Sequence, residues 1–230
     1  MNTTTSRIAA TVAGALVLVL GSSMMSSLAH TGQRWQGIDL TASAHPSEDS
    51  PEVTDRAFDV TSTWQRSVSA DTSALTSATC DNCNGHSATL QVVYARWTTD
   101  LEVDNAAVAW SSCTHCRGTA LSVQVVVVQG ARSVTANNRA LATNAACEDC
   151  DTAALAYQLV VATPDGERLS YTAMRELSEW VDAQDRLLRG GTAATPRTQS
   201  RQSASGADAL ESLVNEDLGS QTKEVDVDRM

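Results

Sequence analysis

Basic side chains are scarce in this chain. Its 230 residues carry 16 Lys and Arg against 27 Asp and Glu, a formal charge of −11. No basic patch is available to neutralise phosphates, so nucleic-acid binding is excluded, and the acidic surface serves solubility. Catalytic signatures are missing as well. There is no His-Glu-x-x-His, no Gly-x-Ser-x-Gly and no glycine-rich phosphate loop. The four histidines, His30, His45, His86 and His115, show no metal-ligand spacing. No metal, no other cofactor and no enzymatic activity are expected.

Long apolar runs are absent beyond the first thirty residues. Arg7, an apolar stretch over 8–20 and the small-residue site Ser27-Leu28-Ala29 read as a secretory signal peptide over 1–29. An uncleaved anchor is the alternative, because Met24, Met25 and Leu28 extend the stretch toward the ~20 residues of a span. Membrane contact is expected only in that case. The expected location is secreted or associated with the cell envelope.

Six cysteines remain, all of them in three pairs: Cys80/Cys83, Cys113/Cys116 and Cys147/Cys150. Their first members lie 33 and then 34 positions apart. A glutamine follows each pair at a constant distance (Gln91, Gln124, Gln158), and two branched apolar residues follow each glutamine. Three features in register define an internal repeat. Asn105, Asn137 and Asn138, upstream of the second and third pairs, read as turn residues.

The valine run at 125–128 favours a strand over a helix. Alternation gives one apolar face per repeat: Ala88, Leu90, Val92, Tyr94; Leu121, Val123, Val125, Val127; Leu155, Tyr157, Leu159, Val161. This face is expected to be the core. Each Cys-x-x-Cys then lies between two strands and is expected to clip a hairpin turn, whose ends are within about 7 Å. So small a ring stabilises by only ~2 kcal/mol. Bridges between repeats are equally allowed by sequence. The glutamines either stack as an amide ladder or face water.

Two other uses of the cysteines compete. His115 lies between Cys113 and Cys116, where an imidazolium could favour a thiolate, so these two are the candidates for a thiol–disulfide redox protein. Two adjacent pairs also have the local spacing of a zinc site. Structural disulfides fit an exported chain best.

The expected fold is mainly β: an antiparallel sheet of three tandem Cys-x-x-Cys hairpin repeats plus one C-terminal amphipathic helix. The expected order is a flexible linker over 30–72, the three-repeat β domain over 73–163, the helix over 164–190 and a disordered acidic tail over 191–230. In the helix, Met174, Leu177, Val181, Gln184 and Leu188 share a face expected to pack on the sheet.

Residues 139–161, and before them 113–128, resemble a group of largely uncharacterised exported proteins of actinobacteria with tandem Cys-x-x-Cys and Gln-Val-Val repeats. The likeness covers 73–189. Some of that group occur alongside peptide zinc metalloproteases, whose His-Glu-x-x-His motif this chain lacks, so no protease activity is implied. The resemblance implies an exported accessory module that binds another envelope or secreted protein. The first repeat departs from the pattern, with Asn84-Gly85-His86-Ser87 in place of an alanine-rich start.

Overall fold

Strands here pair with their own equivalents one repeat away. The computed structural model describes residues 35–190, 196–219 and 222–229. Its elements are β1 (Trp35–Ala44), β2 (Glu52–Thr63), β3 (Ser67–Ala78), β4 (Asn84–Arg96), β5 (Asp100–Ser111), β6 (Arg117–Gln129), β7 (Ser133–Asn144), β8 (Asp151–Ala162), α1 (Tyr171–Gly190), α2 (Pro196–Leu218) and β9 (Thr222–Arg229). Odd strands form one sheet, β1-β3-β5-β7, and even strands another, β2-β4-β6-β8-β9. Every pair among β1 to β8 is parallel, and only β9 runs antiparallel. The result is a β-solenoid of four two-strand turns.

This corrects the expected antiparallel hairpins. Each Cys-x-x-Cys carries the chain from one sheet across to the facing sheet instead of folding it back beside itself. Asn82, His115 and Asp149, third in each motif, have φ of 59°, 55° and 52°. That left-handed conformation is tolerated best by Asn, Asp and His among residues with a side chain. The corners also pair with one another: Asn82 N donates to Thr114 O (2.8 Å) and His115 N to Glu148 O (2.8 Å). Three-residue arcs close the opposite edge, with Trp97 and Gly130 left-handed at equivalent places.

A further correction concerns extent. The segment expected as a linker holds β1 and β2, the first turn of the solenoid. Its corner has no cysteine; Ser50 N donates to Ser47 O (3.0 Å) much as Cys83 N donates to Cys80 O (3.2 Å). The segment expected as a disordered tail contains α2 and β9. Two helices, not one, follow the strands. The expected signal peptide lies outside the described residues.

The expected core face is buried, and the face opposite it is buried as well, between the two sheets. The face bearing Leu121, Val123 and Val125 is buried, but it points outward, under α1 and α2. Leu177, Val181 and Leu188 of α1, with Leu210 and Val214 of α2, cover it. Tyr157 meets Trp180 edge-on at 5.0 Å. Ser170 caps α1, accepting from Ala173 N (3.1 Å), and its own N and Oγ donate to Asp217 near the end of α2. Strands β4, β6 and β8 are thus buried on both sides, as strands of parallel sheets usually are, while edge strand β2 keeps Phe58 and Val60 exposed.

Between the sheets, three zones succeed one another. Ile38, Val68, Leu101, Val103, Val93 and Val126 pack near the short arcs. Alanines 74, 107, 120, 140 and 154 pack near the cysteine corners, where small side chains let the sheets approach. A Cβ on Gly85 would lie 2.7 Å from Thr76 Cγ2, so that approach is tight.

The middle zone is polar, and its amides are bonded from turn to turn. Gln91, Gln124 and Gln158 are buried. Gln124 Nε2 donates to Gln91 Oε1 and Gln158 Nε2 to Gln124 Oε1, both at 2.8 Å. Each amide nitrogen also donates across the interior, to Ile38 O, Ala70 O and Val103 O respectively. The glutamines are a ladder. Asn105 and Asn138, expected in turns, form a second one inside the odd sheet: Asn105 Nδ2 donates to Asn138 Oδ1 (2.8 Å) and Tyr157 O (2.9 Å).

Replacing Gln124 by Ala removes the central rung and leaves a void. The expected cost is about 2–4 kcal/mol in chemical denaturation. Gln158→Ala should cost less, because Gln158 Oε1 has no hydrogen-bond partner among the described residues. An equal or smaller loss for Gln124→Ala would contradict the ladder's role.

Candidate functional site

Besides the exposed outer side of β2, two surfaces carry repeated residues: the cysteine edge and the outer face of the odd sheet.

Along the edge, each pair is joined as its own disulfide, with Cα–Cα distances of 5.4 Å (Cys80–Cys83), 5.9 Å (Cys113–Cys116) and 5.7 Å (Cys147–Cys150). Solenoid stacking then brings pairs together. Arg117 pairs with Asp151, so Cys116 and Cys150, one residue earlier, are neighbours across adjacent turns. Their sulfurs are 3.4 Å apart, and with Cys113 they lie within 4.8 Å of one another. The first pair stands apart, with Cys83 Sγ 3.8 Å from Ser47 O. Cys113 and Cys116 are buried, whereas Cys147 and Cys150 are half-buried. A soft cation would need thiolates here, and sulfurs bonded as disulfides carry no charge to offer.

His115 sits on the outside of its corner, exposed, with Nε2 3.5 Å from Asp149 Oδ2 of the next turn. His86 lies elsewhere, buried under α1 with Nδ1 2.7 Å from Thr119 Oγ1. Burial pushes its pKa down, and Arg189 adds to the effect. The partner of His86 is thus a buried hydroxyl and that of His115 a carboxylate. A groove of about 170 Å³ between β2 and α1, lined by Arg56, Phe58, Leu90 and Val181, is smaller than the ~300 Å³ at which ligand pockets begin. The ion pair of Arg56 with Asp182 (2.7 Å) crosses it.

The odd sheet's outer face carries columns of one residue per turn. Asp39, Asp71, Asp104 and Asn137 are in register, and Glu102 flanks them. Leu75, Val108 and Leu141 form an apolar row two columns away, with Trp110 beside it. Sequence reasoning missed this surface. The signal was present, since Asp39, Asp71 and Asp104 recur at the repeat spacing, but the first two members lay in the segment over 30–72 read as a linker. The expected repeat glutamines are brought together, but all three are interior and none can meet a partner.

No family model, no curated protein and no solved structure matches this chain.

Within the acidic column, desolvation of the crowded carboxylate first, then the charges of Asp39, Asp104 and Glu102, pushes the Asp71 pKa above its ordinary 3.8. A raised acid pKa means that the folded state holds its proton more tightly than the unfolded state. The charge on Asp71 therefore costs stability at neutral pH, and the cost disappears as pH falls through the folded pKa toward 3.8. Asp71→Asn should stabilise by about 0.2–1 kcal/mol at pH 7 and low salt. The gain should vanish near pH 4. Urea melts at the two pH values check it, and a gain independent of pH would reject the like-charge explanation.

Proposed function

We propose that this chain is an exported, non-enzymatic module that binds another secreted or envelope protein through the outer face of its odd sheet. One observation carries the reading: α1 and α2 cover β4, β6 and β8 of one sheet, while the other sheet presents an outer face whose residues repeat turn by turn. Solenoids use such repeated surfaces to bind extended partners. Its chemistry narrows the partner. An acidic column beside an apolar row suits a protein surface that is basic and partly apolar. Arg139, 3.5 Å from Asp104, limits the acid patch at its last turn.

Export fits the placement of all six cysteines in three pairs at disulfide distance, bonds that an oxidising compartment would preserve. The resemblance to exported actinobacterial repeat proteins points the same way. A reading in which Cys113 and Cys116 act directly as a thiol–disulfide enzyme has less support. Both sulfurs are buried, and a strand follows them where a reactive pair would gain from a helix N-terminus.

The test compares two sets of surface variants by cross-linking in the envelope of the producing cell. Val108→Lys with Leu141→Lys places cations on the bare sheet, and Leu187→Lys places one on exposed helix surface. Cross-linked partner should fall at least about tenfold for the sheet variant, the effect of losing ~1.4 kcal/mol of binding, and stay unchanged for Leu187→Lys. Equal behaviour of the two sets would reject this face as the binding surface.

A further inference from the structure

We infer that the second and third disulfides form an exchange relay, in which reduction of the half-buried Cys147–Cys150 pair passes inward to the buried Cys113–Cys116 pair through a bond between Cys116 and Cys150. The contact is already made, since the two sulfurs lie 3.4 Å apart while each is bonded within its own corner. Parallel neighbours at equivalent positions are ~4.8 Å apart along the sheet. That separation falls inside the roughly 4.4–6.8 Å Cα range of disulfides, so the exchanged bond needs no backbone rearrangement.

The steps balance. An external dithiol attacks the Cys147–Cys150 bond and leaves as a cyclic disulfide, with its two electrons and two protons now on Cys147 and Cys150. Cys150, as thiolate, attacks Cys116 Sγ. The Cys116–Cys150 bond forms, the Cys113–Cys116 bond breaks, and its electron pair leaves on Cys113, which takes up the proton that Cys150 gave up. The net product holds thiols at Cys113 and Cys147. An acceptor awaits the S–H formed by the exchange, since Ala78 O lies 3.1 Å from Cys113 Sγ, and Cys113 O, 2.9 Å from Cys150 Sγ, can hold the Cys150 thiol before it attacks.

Accessibility gives the relay its direction. Cys113 and Cys116 are buried, and Cys147 and Cys150 sit at the outermost corner, half-buried. A reductant therefore reaches the inner pair most readily through the outer one. The first corner supplies the internal control, because its Cys83 faces Ser47 O and the close sulfur cluster comprises Cys113, Cys116 and Cys150.

The cleanest test needs no reductant. In Cys147→Ser, Cys150 is left as the single thiol. The folded variant is incubated at neutral pH with a chelator, quenched in acid to stop exchange, denatured and labelled with a maleimide. Trypsin separates the segments around residues 113–116 and 147–150. The relay is supported by label on Cys113 and a Cys116–Cys150 linked peptide. Label confined to Cys150 overturns it.

Limited dithiothreitol on the unmodified protein provides a second route that does not depend on a variant folding. Doubly labelled molecules should carry Cys113 and Cys147 and show the same linked peptide. Labels found only as same-corner pairs would overturn the relay. So would thiols that become reactive only when chelator is added, because a metal rather than exchange would then hold them. In Cys150→Ser, the inner pair should lose its dithiol sensitivity. Unchanged sensitivity would mean that the reductant reaches Cys113–Cys116 directly. None of these readouts involves a binding partner, so the relay and the proposed binding role succeed or fail separately.

Discussion

Register is the constraint on which everything else in this molecule depends. A buried amide that loses its partner costs about 1–3 kcal/mol, and this interior buries three glutamines in one row. Each bonds the glutamine one turn away and a carbonyl on the opposite sheet. A slip of one residue would turn all three out of the interior and put apolar residues in their place. The Asn105–Asn138 contact repeats the constraint on the other sheet. With both sheets locked to a shift of one repeat, valine falls over valine and alanine over alanine. Close packing of the two remaining zones follows from that alignment.

Seen this way, the disulfides are secondary as a source of stability. A three-residue separation closes so small a ring that its entropic contribution is only ~2 kcal/mol each. The first corner manages without one, using backbone hydrogen bonds between Ser47 and Ser50. What the cysteines do add is placement. The register that stacks glutamines also stacks corners, and it brings Cys116 against Cys150 without any local feature designed to do so.

Much of this was legible from residues alone. The period, the alternation, the helix over 170–189 with Leu177 and Val181 on its packed face, and the cysteine corners were all readable, and the glutamine ladder stood as one of two open readings. The sense of pairing was not. Alternation reports which residues share a face, and it is identical for parallel and antiparallel strands. The second buried face was missed, because alternation marks one apolar face and does not show that β4, β6 and β8 are buried on both. The more apolar face, with Leu121 and Tyr157, belongs to the helices, and the polar one belongs to the solenoid. The first turn was invisible because its corner lacks cysteine and β2 has Asp59 where the later turns have glutamine. Polar composition made α2 resemble a disordered tail, although Leu210 and Val214 were correctly spaced to pack.

Asp59 shows how the ladder can end. It occupies the same column as Gln91, in the outermost described strand of that sheet, and it is half-buried where the glutamines are buried. Deep in the column a carboxylate would cost far more than an amide, because it would be charged and could only accept hydrogen bonds. At the margin its charge can be solvated, and it accepts a bond from Thr61 Oγ1. A carboxylate there also cannot donate to another rung, so the chain of donor-to-acceptor amides stops. On the outer face the same exchange runs in the opposite direction along the solenoid: Asp39, Asp71 and Asp104 are succeeded by Asn137. Burial accounts for the choice in the glutamine column, whereas in the outer column Asn137 is as exposed as Asp39 and Asp71, so burial does not require an amide there. Repetition supplies the columns, and burial decides the chemistry of a rung only where the column is interior.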